Sequence, residues 1–318
     1  MVKKLNFCFF GSSDFSVYVL KNILKRYKPE IVFTLPAKRK GRGLKLEPNV
    51  VFSYALKEKL PVIEIENFEN FNYKFLFGVV AGFGKIIPKN IFNNFEKGLI
   101  GIHPSLLPKY RGPNPIREVI LNGEKETGVT IFLLDDLVDN GPIIKTERYI
   151  LKGNEKYKDL EKELGILGGK VFNEIIEKYL NNEIELIKQN EKEATYTRKI
   201  EKEEGLLNIN DGYILWERKI RALNPWPGTF IYLRFLKNNE RKILKIFDIE
   251  KINEKEILSL KIDPEKIKLG EFFSFKNYLA LRIIDSFILI KELQLENKKK
   301  MNSREFLNGY KIGSFVLD

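Results

Sequence analysis

The sequence predicts an α/β protein with a doubly wound, mostly parallel sheet of Rossmann-like type, followed by a small C-terminal, OB-like β-barrel. Three observations predict it. Short apolar runs alternate with amphipathic stretches through the N-terminal half. A long amphipathic helix then closes that half. Strand-like runs separated by turns return from about residue 205.

Leu5–Phe10, Glu30–Leu35 and Phe75–Val80 are short and almost wholly apolar, as strands buried on both faces must be. Phe15–Tyr27 and Val50–Leu60 are expected as the helices between them. The first strand-to-helix turn, Gly11-Ser12-Ser13-Asp14-Phe15, lacks the G-x-G-x-x-G pattern, so a dinucleotide site is not expected. Val129–Leu134 reads as a further strand. Leu160, Leu164, Leu167, Val171 and Ile175 recur at helical spacing and mark the closing helix. Residues 183–204 carry dense charge and little apolar periodicity, which predicts a linker. Domains are therefore expected at 1–182 and 205–318. Phe230–Phe235, Ile243–Phe247, Tyr278–Ile284 and Phe287–Leu293 are the expected strands of the second.

Length, 318 residues, suits two domains. No run approaches eighteen uncharged apolar residues, so no membrane span is expected. One cysteine, Cys8, excludes an internal disulfide and fits a reducing cytoplasm. With a single histidine as well, no Cys/His zinc cluster is available, and no metal is expected. The formal charge is +12, with thirteen Lys/Arg against four Asp/Glu in residues 1–60. The densest cluster there is Lys38-Arg39-Lys40-Gly41-Arg42-Gly43-Leu44-Lys45. Such a cluster suits a polyanion or a solvated turn, and charge alone leaves both open.

The single histidine, His103, stands in Ile102-His103-Pro104-Ser105-Leu106-Leu107-Pro108-Lys109-Tyr110-Arg111-Gly112, straight after the apolar Leu99-Ile100. A strand gives way there to a Pro- and Gly-punctuated loop, where functional side chains concentrate. Imidazole is also the side chain whose ordinary pKa lies near neutrality. The second chemical feature is Asp135-Asp136-Leu137-Val138-Asp139-Asn140-Gly141-Pro142. Taken alone this is ordinary turn chemistry. Ligands of parallel sheets, however, bind beyond the carboxyl ends of strands, and two strand-end loops facing one crevice would bring Asp139 to His103. A carboxylate there would orient the ring and stabilise its protonated form.

Taken together, these motifs resemble the 10-formyltetrahydrofolate-dependent formyltransferase family over nearly the whole chain. The likeness rests on Phe10–Phe15, on Gly41-Arg42-Gly43-Leu44-Lys45-Leu46-Glu47-Pro48, and on Ala81–Pro88. It continues through His103–Gly112, Glu126–Ile131 and Asp139-Asn140-Gly141, and ends in Ile220–Gly228 and Lys299-Lys300-Met301. The Gly41–Pro48 loop is similar to the loop of the tRNA-directed branch. The resemblance implies formyl transfer from 10-formyltetrahydrofolate, released as tetrahydrofolate, to the amino group of methionine on initiator tRNA. It implies a cytoplasmic monomer with a tRNA-binding C-terminal barrel. It also implies His103 and Asp139 as catalytic groups, and a folate site at Phe83, Gly84, Ile86, Ile87, Pro88, Ser105, Leu106, Leu107, Pro108 and Asp135. Ser105 reads as a loop-shaping hydroxyl, not a nucleophile. Lys38, Arg39, Lys40, Arg42 and Lys45 are the implied tRNA contacts.

Two positions depart from the family. Where it has Asn-x-His this chain has Gly101-Ile102-His103, so the amide side chain placed to bond the reacting formyl oxygen is missing. Losing such a donor costs roughly 2.7–4 kcal/mol in the transition state. Arg117 stands where the family commonly has an uncharged polar residue. Two alternatives follow. One is a formyltransferase acting on a small amine, a nucleotide-sugar amine or glycinamide ribonucleotide. The other is a folate- and tRNA-binding relative impaired in catalysis by Gly101.

Overall fold

The computed structural model describes residues 3–40 and 45–318. It divides into two compact units, Met1–Val119 with Glu124–Lys199, and Ile120–Gly123 with Ile200–Asp318. The first contains a seven-stranded sheet built from β1 (Phe7–Phe10), β2 (Ile31–Thr34), β3 (Val62–Glu64), β4 (Phe77–Val80), β5 (Leu99–His103), β6 (Glu126–Leu133) and β7 (Ile143–Ile150). Their order is β7-β6-β5-β4-β1-β2-β3. From β3 to β5 every neighbour is parallel, whereas β6 and β7 run antiparallel. All four residues of β1 are buried, which is why it reads as an unbroken apolar run.

Helices α1 (Asp14–Ile23), α2 (Val50–Lys57) and α4 (Tyr157–Leu180), with the first part of α3 (Pro115–Asn122), complete this unit's main elements. The helix expected over Phe15–Tyr27 stops at Ile23, and Tyr27 instead enters a two-residue strand paired with Lys3–Lys4. Ser13 caps α1 through a reciprocal box with Ser16, whose hydroxyl also donates to Ala81 O at 2.6 Å. That bond fastens the start of α1 to the end of β4. Glycines on α4 allow close packing against α1. A Cβ at Gly165 would stand 2.6 Å from Tyr18 Cβ, and one at Gly169 2.6 Å from Val19 O. The same packing brings the first turns of α4 and α1 together. On the opposite face of the sheet an aromatic cluster forms the core, including Phe10, Phe33, Phe68, Phe71, Phe75, Phe83 and Phe95.

The expected linker, 183–204, is divided between the units at Lys199–Ile200, and its first part is folded onto the first unit. Ile187 bridges to Ile143, and Gln189 and Thr197 are buried. This segment lacks apolar periodicity because polar contacts hold it.

The second unit is an all-antiparallel, curled sheet. Its strands are β8 (Thr229–Phe235), β9 (Glu240–Ile252), β10 (Phe272–Phe275), β11 (Tyr278–Ile283), β12 (Ser286–Leu295), β13 (Met301–Asn302) and β14 (Phe315–Leu317). The order is β10-β11-β12-β9-β8-β14, with β13 on β12. The register shifts around Phe247 bend β9. The curl brings the two edges together, with the rings of Phe272 on β10 and Phe315 on β14 at 5.3 Å. Trp216, on α5 (Gly212–Leu223), is fully buried in this core and donates its indole N–H to Asn208 O at 2.6 Å. The sequence reading missed the short strands β10, β13 and β14.

Candidate active site

A cavity of 740 Å³ opens in the first unit, within the size range of small-molecule sites. One wall has an apolar surface, formed by Val80, Phe83, Ile87, Phe92, Phe132 and Leu134, with the peptide groups of Gly82–Pro88 and the charged side chains of Lys85, Lys89, Asp135 and Asp136. The other wall is helical, formed by Ser13 before α1, Phe15 of α1, Ile116 and Arg117 of α3, and Tyr157 and Glu161 of α4. Gly101, His103, Gly112 and Asp139 also line it.

His103 is the last residue of β5 and is buried. Its Nε2 lies 2.9 Å from Tyr110 O, so a neutral ring carries its hydrogen there. Its Nδ1 lies 3.5 Å from Asp139 Oδ2. The same oxygen accepts the Gly112 N–H at 2.7 Å, which ties the loop after β6 to the loop after β5. Asp139 takes this position in a left-handed conformation, φ 52°, which aspartate tolerates better than most residues. The route to this pairing differs from the strand-end argument. β6 is antiparallel to β5, with Thr130 opposite His103 and Leu133 opposite Ile100, so its carboxyl end points away from His103. Asp139 arrives because residues 134–142 double back. Asp135 shapes that return, accepting from Leu137 N at 2.9 Å and Asn140 Nδ2 at 3.0 Å.

Gly101 contributes only backbone to the cavity. Its φ is not positive, but a Cβ would lie 2.3 Å from Phe132 Cε1, 2.6 Å from its Cζ and 2.9 Å from Leu134 Cδ1. The place where a side chain at 101 would begin is taken by the aromatic ring of Phe132 from the next strand.

Of the residues expected at a folate site, Phe83, Gly84, Ile86, Ile87, Pro88 and Asp135 line the cavity. Ser105, Leu106, Leu107 and Pro108 are not in its lining. This stretch folds back onto β6 instead. Ser105 O accepts from Thr130 Oγ1 at 2.7 Å, and Leu107 N donates to the same hydroxyl at 3.0 Å. Ser105 Oγ is spent on Lys109 O at 2.6 Å, and the Leu107 side chain packs with Phe132 and Ile143. Lys38–Lys40 and Lys45–Glu47 form an antiparallel pair that carries four of the five expected cationic contacts, while Arg42 lies outside the described residues.

Sequence reasoning missed two polar groups. Arg111 is fully buried and bonds Gln189 Oε1 at 2.9 and 3.2 Å, Glu191 at 2.8 and 3.0 Å, and Tyr196 Oη at 2.9 Å. Gln189 in turn donates to Asp139 O and Gly141 O at 2.9 and 2.8 Å. Arg111 thus clamps the 189–197 segment beneath the loop that carries Asp139. The bond to Glu191 raises the guanidinium pKa and lowers that of the carboxylate. Arg111→Met would leave Gln189 Oε1 without its donor, at a cost of about 1–3 kcal/mol. The expected result is a melting temperature lower by about 2–4 °C per kcal/mol, read by calorimetry. An unchanged melting temperature would show that the clamp adds nothing.

The second missed group is Arg117 with Tyr157 and Glu161. Arg117 is 7% exposed and its guanidinium sits 3.8 Å from the centroid of the Tyr157 ring. Tyr157 Oη donates to Glu161 at 2.8 Å, and the Lys158 ammonium reaches the same buried carboxylate at 3.0 Å. Burial pushes the Arg117 pKa down, against the pull of Tyr157 and Glu161. In the sequence Arg117 stood out only as a departure from the family, and its partners only as an acid beside Leu160 on an otherwise apolar helix stripe.

An imidazole–carboxylate pair lining a cavity of small-molecule size is the layout of an acid–base active site. The formyl transferase family matches residues 3–176, and the formyl transferase C-terminal domain matches residues 199–311. This chain belongs to the formyl transferase family. Methionyl-tRNA formyltransferase of Caldicellulosiruptor saccharolyticus is 33% identical over 322 residues, covering 97% of this chain and 98% of the relative. That of Finegoldia magna is 32% identical and covers 95% of each. Among solved structures, the N-formyltransferase from Helicobacter canadensis, in complex with folinic acid and dTDP-3-aminofucose, superposes with a TM-score of 0.61. It is 24% identical and covers 90% of this chain and 98% of its own. HypX from Aquifex aeolicus in complex with tetrahydrofolic acid gives 0.60 at 15% identity, over 95% of this chain and 47% of its own. These two likenesses carry the fold.

Proposed function

We propose that this protein transfers a formyl group from 10-formyltetrahydrofolate to the amino group of methionyl initiator tRNA. The observation that carries the reading is the full-length match, catalytic and C-terminal parts alike, to relatives named methionyl-tRNA formyltransferase. The cavity suits a folate. Its apolar wall offers Ile87, Phe92 and Leu134 to a flat ring system, and the peptide groups of Gly82–Pro88 can pair with the ring's polar edge. When bound, the folate supplies a formyl carbon as the electrophile.

The remaining chemistry falls to this chain's side chains. His103 and Asp139 are an acid–base pair beside both walls, able to take up the proton that the attacking amine sheds and return it to the nitrogen that leaves the formyl carbon. The bond from Nε2 to Tyr110 O sets the ring's orientation, and Asp139, fixed by the Gly112 amide, faces Nδ1 and favours a proton there. With no side chain at 101, charge on the formyl oxygen is met by the imidazole or by peptide N–H groups. The cationic pair of strands at Lys38–Lys40 and Lys45–Glu47 is the proposed contact with tRNA phosphates.

The deciding measurement is formylation of methionyl initiator tRNA with 10-formyltetrahydrofolate, run beside a dTDP-linked amino sugar and glycinamide ribonucleotide. Formyl-methionyl product from the tRNA alone is expected. Product from either small amine alone would replace this reading, and absence of any product would favour an impaired binding protein.

A further inference from the structure

The helical wall has no part in the chemistry above, yet three of its side chains are held with care. We propose that Arg117 is an acceptor-specificity residue, donating to the ester carbonyl oxygen beside the reacting amine of an aminoacyl-tRNA. This inference rests on the proposed function and names the group that the acceptor presents to this site.

The two walls differ in what they can receive. The apolar wall is continuous with the aromatic core, since Phe83, Ile87 and Leu134 belong to both. It suits a flat, largely apolar donor. The helical wall lies on the α4 side of the sheet, where Ile102 Cγ2 approaches Gly168. It presents a buried cation and a buried carboxylate to the cavity, a lining that suits a polar ligand. Gly112, five residues before Arg117, bonds the carboxylate that faces His103, and Arg117, His103 and Asp139 line the same cavity.

An aminoacyl ester presents an amine and a carbonyl one carbon apart. A guanidinium has five N–H donors in a rigid plane and suits such an oxygen. The Tyr157 ring fixes the plane by stacking at 3.8 Å, and Glu161 fixes Tyr157 through its hydroxyl. Tyr157 and Glu161 are therefore positioning residues. A cation at this place also opposes a positive charge on the neighbouring amine and so favours the nucleophilic, neutral form. An amino sugar has no carbonyl next to its amine and would gain nothing from Arg117.

The test compares wild type with Arg117→Met and Arg117→Lys in two assays. In the first, steady-state formylation, Arg117→Met should raise KM for methionyl-tRNA at least tenfold while KM for the folate donor stays within twofold. Lysine keeps the charge without the planar fork and should recover part of the loss. In the second, wild type should bind methionyl-tRNA more tightly than the same tRNA uncharged, and Arg117→Met should bring the two affinities within twofold. An unchanged acceptor KM, or an equal rise in both KM values, overturns the proposal. If Arg117→Met does not fold, Arg117→Lys decides alone, and an acceptor KM equal to wild type overturns it. A wild type that distinguishes charged from uncharged tRNA but does not formylate it leaves Arg117 its role and removes the proposed reaction. A wild type that binds both tRNAs equally removes the Arg117 contact whether or not formylation occurs.

Discussion

Replacing His103 by asparagine is expected to lower kcat by about a hundredfold or more, the range for loss of a positioned acid or base. Asparagine is the informative replacement. Its amide reaches only the place of Nδ1, facing Asp139, and gives up the bond that Nε2 makes to Tyr110 O. It cannot take up or release a proton near neutrality. The loop after β5 has other anchors, in Thr130 and in the Arg111 clamp, so the backbone should keep its course. Donor affinity should change little, because the apolar wall is built from β4, its following loop and β6. The measurements are single-turnover formylation for the rate and titration with the donor for affinity. A variant that keeps most of its kcat would remove His103 from the chemistry. A variant that loses donor affinity in step with rate would make the ring a binding group.

Much of this site was legible in the sequence, and the illegible parts share a cause. The β1 run, the periodic stripe of α4 and the histidine loop are local patterns, and each declared its element. The pairing of His103 with Asp139 is a long-range contact, suggested by the idea that two strand ends face one crevice. The fold brings the two side chains together by another route, through a loop that doubles back from an antiparallel strand. Strand direction leaves no mark on the alternation of apolar residues, so periodicity cannot report it. The segment 183–199 looked like a linker because its anchors are polar. Gln189, Glu191 and Tyr196 meet a buried arginine, and a segment held in this way has the composition of a solvated one. Arg117 had no account in the sequence for a similar reason. Its partners Tyr157 and Glu161 lie on another helix, and only the packing of α4 against α1 brings that helix's first turns to the cavity.

The expectation at Gly101 changes most once the neighbouring strand is in view. Restoring the family asparagine alone should not restore a donor. It should lower stability by about 1–3 kcal/mol, the usual cost of forcing extra atoms into a filled space. The obstacle is space and not backbone, since φ at Gly101 is not positive. Phe132 is 3% exposed, packed with Leu107, Ile143 and Leu134, and its ring stands 2.3 Å from where the new Cβ would begin. Removing that ring by Phe132→Ala should itself cost about 3–5 kcal/mol, because a cavity is left. The double variant Gly101→Asn/Phe132→Ala should cost less than the two changes added, because each change supplies the volume or the space that the other lacks. A coupling of about 0.5–3 kcal/mol is the range for side chains in contact. In the double variant alone the amide has room to turn toward the cavity, so only there is a kcat above that of Phe132→Ala expected. Urea unfolding of the four proteins gives the coupling, and their kcat values give the chemistry. Strictly additive costs would mean that Phe132 and position 101 are independent. A single Gly101→Asn variant that is both faster and as stable as wild type would mean that the ring yields freely, and that position 101 lacks a donor for some reason other than space.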